Sequence, residues 1–238
     1  MRQEVASRFG SPRRHFASVG STNTIARELA AAGAPHGTVV TAEEQTAGRG
    51  RQGRTWAAPS GSALLYSAIL RPLEPRHSVL PLAVPLAVCE TAERLRPGIE
   101  CKVKWPNDIH LGGRKLAGIL IEARPQDGWA VLGIGLNLTI AEDEFPDELR
   151  DRATSLFPER GVEPASALSE ALTRWLDAPE DRVLTEWRER DALRGREVTW
   201  EKGTGIAEGI DERGYLLVRL AGGDRVALGA GDVHLTSF

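Results

Sequence analysis

One segment of the chain combines residue types that could bind an anionic ligand. Residues 48–53 read GRGRQG, so that Arg49 and Arg51 stand between glycines, and Arg54 and Trp56 follow closely. A glycine-rich backbone can bring its N–H groups close to a phosphate, and the forked guanidinium of arginine suits phosphate or carboxylate oxygens. The indole of Trp56 could stack on a purine. The segment favours a mobile anion-binding loop that folds over its ligand, and a solvated basic loop is the alternative.

The same segment matches the pattern G-x-G-x-x-G of dinucleotide-binding folds, but its surroundings argue against that fold. A Rossmann unit needs a helix that opens at the last glycine and an acidic residue about 20 positions later. Here Pro59 and Gly61 oppose a helix, and Glu74 lies in a proline-flanked turn. The pattern therefore does not indicate a classical NAD or FAD site.

A second segment, residues 104–118, could act on a phosphoryl group. Asn107 and Asp108 follow a predicted strand, and oxygen ligands of this kind can hold a hydrated magnesium ion. Lys115 lies across a Gly-Gly turn, so a hairpin would bring it to the same end of the sheet, where its charge could stabilise a phosphoryl group in transfer. Asn-Asp before a strand is also a common turn cap. Together with an anion-binding loop, the segment points to an ATP-dependent reaction.

Glycines inside an apolar run form a third feature. Gly133 and Gly135 mark places in a strand where a ligand or another backbone can approach closely, and Asn137 is polar in an otherwise apolar run. A β-bulge with a satisfied buried asparagine is the alternative. The five histidines and two cysteines show no metal-ligand spacing, so the sequence predicts neither a structural zinc site nor a hydrolytic triad.

The elements that must position these residues follow from the hydrophobic pattern. Apolar residues at helical spacing begin after Ser21 and Thr22 and end near Gly33, so we expect a helix capped by the side chain of Ser21 or Thr22. The arginine-rich segment then falls in a long loop over residues 46–62. The other elements expected in this half of the chain are a strand over 37–45, a buried strand over 63–71 and a core helix over 77–95 whose start is bent or delayed by prolines.

Glycine turns predict two consecutive hairpins in the middle of the chain. A Gly-Gly pair divides residues 108–119, and Asp127-Gly128 separates strand-like runs over 116–122 and 129–138. With a strand over 100–105, they predict an α+β fold with a mixed or antiparallel sheet and packed helices. The helices expected on this sheet include one over 164–176 and a charged one that continues to about Leu193. Beyond Gly195, five short strands suggest a small C-terminal barrel of the SH3 or OB kind.

Composition and charge limit the class of protein. The 238 residues are 41% hydrophobic and 26% charged, which is ordinary for a globular protein with a core. The net charge of −3 gives no basic field that would indicate nucleic acid as a partner. The N-terminus lacks the apolar core of a signal peptide, and the longest apolar run, 79–89, is too short to span a bilayer. Because Cys89 and Cys101 lie in apolar runs, we expect buried thiols and a soluble cytoplasmic protein.

The order of the motifs resembles the biotin protein ligase family. The motifs are STN at 21–23, QTAGRGRQGRTW at 45–56, KWPND at 104–108, RKLAGIL at 114–120 and GIGLN at 133–137. The short segment before residue 16 cannot supply the winged helix-turn-helix of repressor-type members, so the chain resembles the monofunctional type. The resemblance implies a class II synthetase-like catalytic domain over 1–190 and an SH3-like β-barrel over 191–238.

The resemblance also implies a reaction in two steps. Biotin and MgATP would give biotinyl-5′-AMP and pyrophosphate, and a lysine of a biotin carboxyl carrier protein would then take the biotinyl group. Catalytic roles are implied for Arg49, Arg51 and Lys115. Biotin-binding roles are implied for Ser21, Thr22, Asn23, Gln45, Gly48, Arg49, Gly50, Arg51, Lys115, Gly118 and Gly133. ATP-binding roles are implied for Arg51, Arg54, Trp56, Asn107, Asp108, Lys115 and Asn137, with Asp108 also a magnesium ligand.

Two other functions stay open at this point. A lipoate ligase or octanoyltransferase is built on a related scaffold, although the STN, GRGRQGR and KWPND motifs argue for biotin. A non-catalytic module that holds nucleic acid on its small barrel is the alternative from another class. The implied partner is the carrier domain, with no nucleic acid and no membrane. An exposed sheet edge could pair with a second subunit or with the carrier, so the sequence leaves monomer and homodimer open.

Overall fold

The computed structural model describes residues 8–159, 161–229 and 233–235. Their elements confirm the predicted α+β class, with one large sheet, a second smaller sheet and four α-helices. The strands of the large sheet are β1 (Arg13–Val19), β2 (Val39–Gln45), β3 (Ala63–Leu70), β4 (Cys101–Lys104), β5 (Asp108–Leu111), β6 (Arg114–Arg124) and β7 (Trp129–Asn137). The helices are α1 (Thr22–Ala31), α2 (Leu80–Leu95), α3 (Pro164–Leu176) and α4 (Glu180–Glu189).

The large sheet is mixed, as its sequence predicts. Its strand order is β1-β2-β3-β7-β6-β5-β4, and only β1 and β2 run parallel to each other. The two predicted hairpins are present, β5–β6 across the Gly-Gly turn and β6–β7 across a turn that ends at Gly128. The hairpins place Gly118 opposite Gly135 and Leu120 opposite Gly133.

The two faces of the sheet are covered by different helices. Strand β7 alternates between them: Leu132 and Leu136 join the main core with α2 and α3, whereas Val131 packs against α1. Because side chains alternate along a strand, Gly133 and Gly135 lie on the α1 face of the sheet, with Gly133 below the first turn of that helix. Two glycines in succession on one face leave a hollow in the sheet, and the candidate site lies over it.

Helix α1 begins one residue after Ser21, but the predicted side-chain cap is wrong. Ser21 occupies the N-cap position without a side-chain hydrogen bond to the helix. The Thr22 hydroxyl lies 3.0 Å from Gln45 Oε1 on β2, so tertiary contacts replace the local cap. The predicted stop is present: Gly33 has φ +87°, and Ala34 N–H donates to Leu29 C=O at 2.9 Å.

Two predicted helix boundaries also differ. A 3₁₀ turn over Pro75–Val79 precedes α2, which therefore starts at Leu80 and not at residue 77. Pro81 lies in its first turn, where a missing N–H costs nothing, and Pro85 lies inside the helix. Helix α4 ends at Glu189, because the next residues pair with β4: Val103 N–H donates to Arg190 C=O at 2.8 Å.

The C-terminal strands form a second, antiparallel sheet. They are β8 (Glu197–Trp200), β9 (Gly203–Ile210), β10 (Leu216–Arg219), β11 (Arg225–Leu228) and β12 (His234–Leu235), in the order β11-β10-β9-β8-β12. Within the described residues β11 and β12 are the two edges and do not pair, so a closed barrel is not found. This sheet packs on the rest of the chain, where Trp105 Nε1 donates to Gly214 C=O at 3.0 Å.

The length and hydropathy of the helices can be compared with those of a membrane-spanning helix. Among the residues that the structure describes, every helix falls short of the length and apolar character required to cross a bilayer.

Candidate active site

A cleft of about 590 Å³ lies over the glycine hollow of the sheet. This volume falls in the range of small-molecule and cofactor sites. Its lining brings together residues that lie far apart in the sequence. The predicted site residues in the lining are Ser21, Thr22, Asn23, Gln45, Arg49, Gly50, Arg51, Arg54, Trp56, Asn107, Asp108, Lys115, Gly118, Gly133 and Asn137. Gly48 is the predicted site residue outside this lining: it is buried, and a Cβ there would lie 2.2 Å from Trp56 O.

Four buried or half-buried side chains, Thr22, Asn23, Gln45 and Ser67, form a polar cluster at one end of the cleft. Gln45 Oε1 accepts from Thr22 N–H at 2.7 Å and from the Thr22 hydroxyl at 3.0 Å. Ser67 Oγ lies 2.6 Å from Asn23 Oδ1 and 2.8 Å from Thr22 Oγ1. Since each group holds the next, the cluster is a preorganised hydrogen-bonding surface.

Asn23 lies directly above the glycine hollow. A Cβ at Gly133 would stand 2.1 Å from Asn23 Oδ1, so glycine is required for the asparagine to approach the sheet. Asn23 Nδ2 donates to Leu120 C=O at 3.3 Å and to Glu122 Oε2 at 3.0 Å. The amide is therefore held on three sides, by Ser67, the β6 backbone and Glu122.

The arginine-rich loop contacts the sheet at two points. Arg49 Nη1 lies 3.3 Å from Glu122 Oε1, and Arg51 Nη1 donates to Asn107 Oδ1 at 3.4 Å. From the second contact onward, residues 51–53 form a 3₁₀ turn in which Gln52 has φ +54°. The loop therefore lies over the cleft with two guanidiniums at its edge, and Arg54 follows on the exposed side.

Trp56 covers the second glycine of the hollow. Cβ atoms at Gly135 and Gly118 would stand 2.4 Å and 2.9 Å from its indole ring, so both glycines make room for it. The indole Nε1 is buried and has no hydrogen-bond partner among the described residues. Lys115 Nζ lies 5.7 Å from the ring centroid, within the range of a cation–π contact. Trp56 thus separates the polar cluster from a charged end of the cleft.

That charged end is built on the β5–β6 hairpin. Lys115 Nζ lies 2.7 Å from Asp108 Oδ1, as the predicted hairpin requires. His110 stands beside this pair, and its Nδ1 lies 2.9 Å from Gly113 C=O. Burial, followed by the charge of Lys104, lowers the pKa of His110 to about 4, so the imidazole is neutral at neutral pH. Asn137 on β7 donates to Thr154 C=O at 3.0 Å.

The donors of this end suit a metal ion that arrives with a ligand. Within the described residues no group of three His, Cys, Asp or Glu side chains could enclose a metal. Asp108 alone offers a carboxylate, and it is already paired with Lys115. Mg²⁺ commonly binds through one or two carboxylates and the phosphates of a substrate, and Asp108 fits that smaller role.

Sequence reasoning missed several residues of the site. Ser67 is the one hydroxyl on the cleft side of the buried strand β3, and an isolated polar residue in such a run is the signal that could have found it. Glu122 gave no signal, because its partners come from α1 and from the arginine-rich loop. The wall beside the charged end comes from the irregular segment 141–153, which contributes Phe145, Pro146 and Leu149.

The fold and the cleft define an α+β protein whose described residues form a cleft with hydrogen-bonding groups at one end and a lysine–aspartate pair at the other. The comparison with known proteins identifies the family. The Biotin/lipoate A/B protein ligase family matches residues 15–138, and the Biotin protein ligase C terminal domain matches residues 194–235. The chain belongs to the biotin/lipoate protein ligase family.

Three similar proteins illustrate the relationship. The biotin–acetyl-CoA-carboxylase ligase of Mycobacterium tuberculosis is 39% identical over 92% of this chain and 87% of its own length. The bifunctional ligase/repressor BirA of Bacillus subtilis is 42% identical over 60% of this chain, which spans only 45% of that protein. The biotin protein ligase of Aquifex aeolicus in complex with biotin and ATP superimposes with a TM-score of 0.77 at 27% identity, over 95% of this chain and 99% of that one.

Proposed function

We propose that the protein is an ATP-dependent biotin protein ligase. It activates biotin to biotinyl-5′-AMP and transfers the biotinyl group to a lysine of a biotin carboxyl carrier protein. The observation that carries this proposal is the polarity of the cleft: the hydrogen-bonding cluster lies at one end, Lys115 and Asp108 lie at the other with Trp56 between them, and the arginines of the loop lie along the edge. Biotin has the same polarity, with a ureido head, an aliphatic chain and a carboxylate.

The ureido head of biotin pairs with the polar cluster in this proposal. The ureido group offers one carbonyl oxygen and two N–H groups, and Ser21, Thr22, Asn23 and Gln45 supply both donors and acceptors. Ser67 keeps Thr22 and Asn23 in place. Gly48, Gly118 and Gly133 act on the ligand indirectly in this proposal, because they make room for the protein groups beside them, Trp56 O, the Trp56 ring and Asn23. Gly50 lies in the cleft lining itself, where its backbone can come close to the ligand. Biotin appears in the names of the similar proteins from Mycobacterium tuberculosis and Aquifex aeolicus, and these names support biotin as the substrate.

The first chemical step joins two anions. A carboxylate oxygen of biotin attacks the α-phosphorus of ATP, and the bond from that phosphorus to the pyrophosphate oxygen breaks. Arg49, Arg51 and Lys115 offset the repulsion and stabilise the charge that develops on the α-phosphate. Arg54, Trp56, Asn107 and Asn137 bind the nucleotide. Asp108 would hold the magnesium of MgATP, which would supply positive charge to the phosphates, and Lys115 would then be shared between Asp108 and the α-phosphate.

The second step transfers the acyl group. The amine of the carrier lysine attacks the carbonyl carbon of the mixed anhydride, AMP leaves, and the amine loses a proton as the amide forms. The loop over residues 48–53 shields the anhydride from water until the carrier arrives. The C-terminal sheet, which we propose closes as an SH3-like barrel over 191–238, would help present the carrier beside a catalytic domain over 1–190. A cytoplasmic location fits such carriers.

The test uses the whole chain with ATP and Mg²⁺. Pyrophosphate release is followed with biotin, lipoate or octanoate as the acid, and mass spectrometry identifies the adenylate. A carrier domain is then added, with its acceptor lysine intact or replaced by arginine. We expect release with biotin and a biotinyl mass increase on the intact carrier alone. Release with lipoate or octanoate but not with biotin would overturn the proposal, and nucleic-acid binding without any adenylate would favour the binding-module alternative.

A further inference from the structure

The carboxylate of Glu122 joins three parts of the chain, and the proposed reaction gives it no role. Its Oε2 accepts from Asn23 Nδ2 at 3.0 Å, and its Oε1 lies 3.1 Å from Arg27 Nη1 and 3.3 Å from Arg49 Nη1. The side chain is 19% exposed. Burial raises the pKa of Glu122, but the hydrogen bonds from Asn23 and Arg27 and the charge of Arg49 outweigh it, so the pKa lies below its ordinary value.

One end of this junction is the polar cluster. Asn23 has two amide hydrogens and one amide oxygen, and Glu122, Leu120 C=O and Ser67 engage all three. Because the amide lies against Gly133, a rotation of Asn23 would break these contacts and change the hydrogen-bonding surface of the polar cluster. Glu122 supplies the one charged partner of Asn23, and charge-assisted hydrogen bonds are the stronger kind.

The other end of the junction is the arginine-rich loop. The contact from Arg49 to Glu122 ties the first half of the loop to β6, and the contact from Arg51 to Asn107 ties the second half near β5. A guanidinium carries five donors, so the contact of one Nη1 with Glu122 leaves Arg49 able to bind an anion. Arg27 binds the same carboxylate from α1 and belongs to neither the loop nor the cleft lining.

We propose that Glu122 is a positioning residue that holds the arginine-rich loop closed through Arg49 and fixes the Asn23 amide with the same carboxylate. Loop closure and recognition of the ligand head are thereby coupled through one side chain. The consequence for the reaction, retention of the acyl-adenylate, rests on the proposed function. The role of Glu122 in holding the loop closed does not depend on the proposed function.

The first test therefore uses the whole chain without any ligand. Hydrogen exchange of residues 48–56 is compared in wild type, Glu122→Gln and Arg27→Gln. Glu122→Gln keeps the size of the side chain but removes the charge, so we expect exchange of the loop amides to rise about tenfold, which is the usual effect of losing one hydrogen bond to a charged group. Arg27→Gln is the matched control, because it removes the other arginine from the same carboxylate, and its loop should exchange within about twofold of wild type.

Arg49→Gln removes the other partner of the contact between Arg49 and Glu122. It keeps the proposal testable if Glu122→Gln fails to fold. It should raise loop exchange by the same factor, and the double variant should add nothing further. Equal loop exchange in wild type and Glu122→Gln would overturn the proposal, and so would an Arg27→Gln effect as large as that of Glu122→Gln.

The second test measures retention of the product of the first step. Each variant is loaded with biotin and MgATP, excess reagents are removed, and release of biotinyl-5′-AMP is followed with time. We expect Glu122→Gln to release it about tenfold faster than wild type or Arg27→Gln. An enzyme that forms no adenylate at all would refute the proposed function and leave the exchange result standing. Faster loop exchange with unchanged adenylate release would refute the coupling to the reaction.

Discussion

The substitution Gly133→Ala should damage the polar end of the cleft through a single added methyl group. The new Cβ would lie 2.1 Å from Asn23 Oδ1 and 2.7 Å from both Asn23 Cγ and Nδ2, distances that real Cβ atoms essentially never show. Asn23 cannot move away cheaply, because Ser67, Leu120 C=O and Glu122 hold its amide on three sides. The change therefore either shifts β7 from α1 or breaks these hydrogen bonds.

The expected size of the effect follows from this geometry. Overpacking of a close contact costs about 1–3 kcal/mol, which for a protein of this length lowers the melting temperature by about 2–12 °C. If the strain is released by displacing Asn23, the same energy appears as weaker binding, and about 1.4 kcal/mol is tenfold in the dissociation constant. We therefore expect biotin to bind about 10- to 100-fold more weakly, with ATP binding to the ligand-free enzyme changed far less.

The assay combines thermal unfolding with calorimetric titration of biotin. Gly222→Ala is the matched control, because a Cβ there meets nothing within 4 Å, and it should leave both measurements unchanged. Asn23→Ala removes the atoms that clash, so Gly133→Ala should cost about 1–2 kcal/mol less in that background than in wild type. A Gly133→Ala protein with the stability and biotin affinity of wild type would refute the close approach on which the reasoning depends.

Three further predictions concern charged and titratable residues of the cleft. Lys115→Ala should reduce adenylate formation at least about 100-fold, while its circular dichroism and melting temperature stay near those of wild type. Lys102→Ala on β4 is the control and should retain activity. Normal turnover of Lys115→Ala would remove this residue from the mechanism. The Arg51→Gly variant should release biotinyl-5′-AMP, which then labels lysines of a bystander protein. Gln52→Gly loosens the same loop without removing a charge and should label far fewer lysines. Equal labelling by the two variants would contradict a role for the Arg51 charge. His110 is held neutral with a pKa of about 4, so the unfolded chain takes up a proton below about pH 6.5 that the folded chain does not. The free energy of unfolding, measured with urea, should therefore fall between pH 6.5 and pH 4 by about 3 kcal/mol more in wild type than in His110→Gln. Parallel pH profiles of the two proteins would refute this prediction.

Six of the seven strands of the large sheet were predictable because their signals are local, whereas β1 (Arg13–Val19) was not predicted. The Gly-Gly and Asp-Gly turns set both hairpins, and the apolar run of β3 matched a strand that is buried on both faces. The same hairpin logic brought Lys115 to the end of the sheet where Asp108 lies, and the structure gives an ion pair there. These predictions succeeded because turn chemistry and side-chain alternation act over a few residues.

The parts that the sequence did not reveal depend on distant partners. The cap of α1 was predicted from the hydroxyls of Ser21 and Thr22, but Gln45 on β2 engages Thr22 instead. Gly133 was recognised as a place of close approach, whereas its partner Asn23 follows only from the way α1 packs on β7. Closure of the C-terminal strands depends on pairing between the first and last of them in space, which no turn signal specifies.

The charges of the cleft bear on how a protein of net charge −3 would bind the anionic ligand proposed for it. Two of the cations that face the cleft form ion pairs with carboxylates: Arg49 pairs with Glu122, and Lys115 pairs with Asp108. Each of these two pairs adds little net field at a distance, while Arg51, Arg54 and Lys104 also line the cleft. At contact distance the remaining donors of the same cations are already oriented, and a phosphate or carboxylate finds them without further ordering of the side chains. The two paired cations therefore act mainly at contact distance, on an anion that has already entered the cleft.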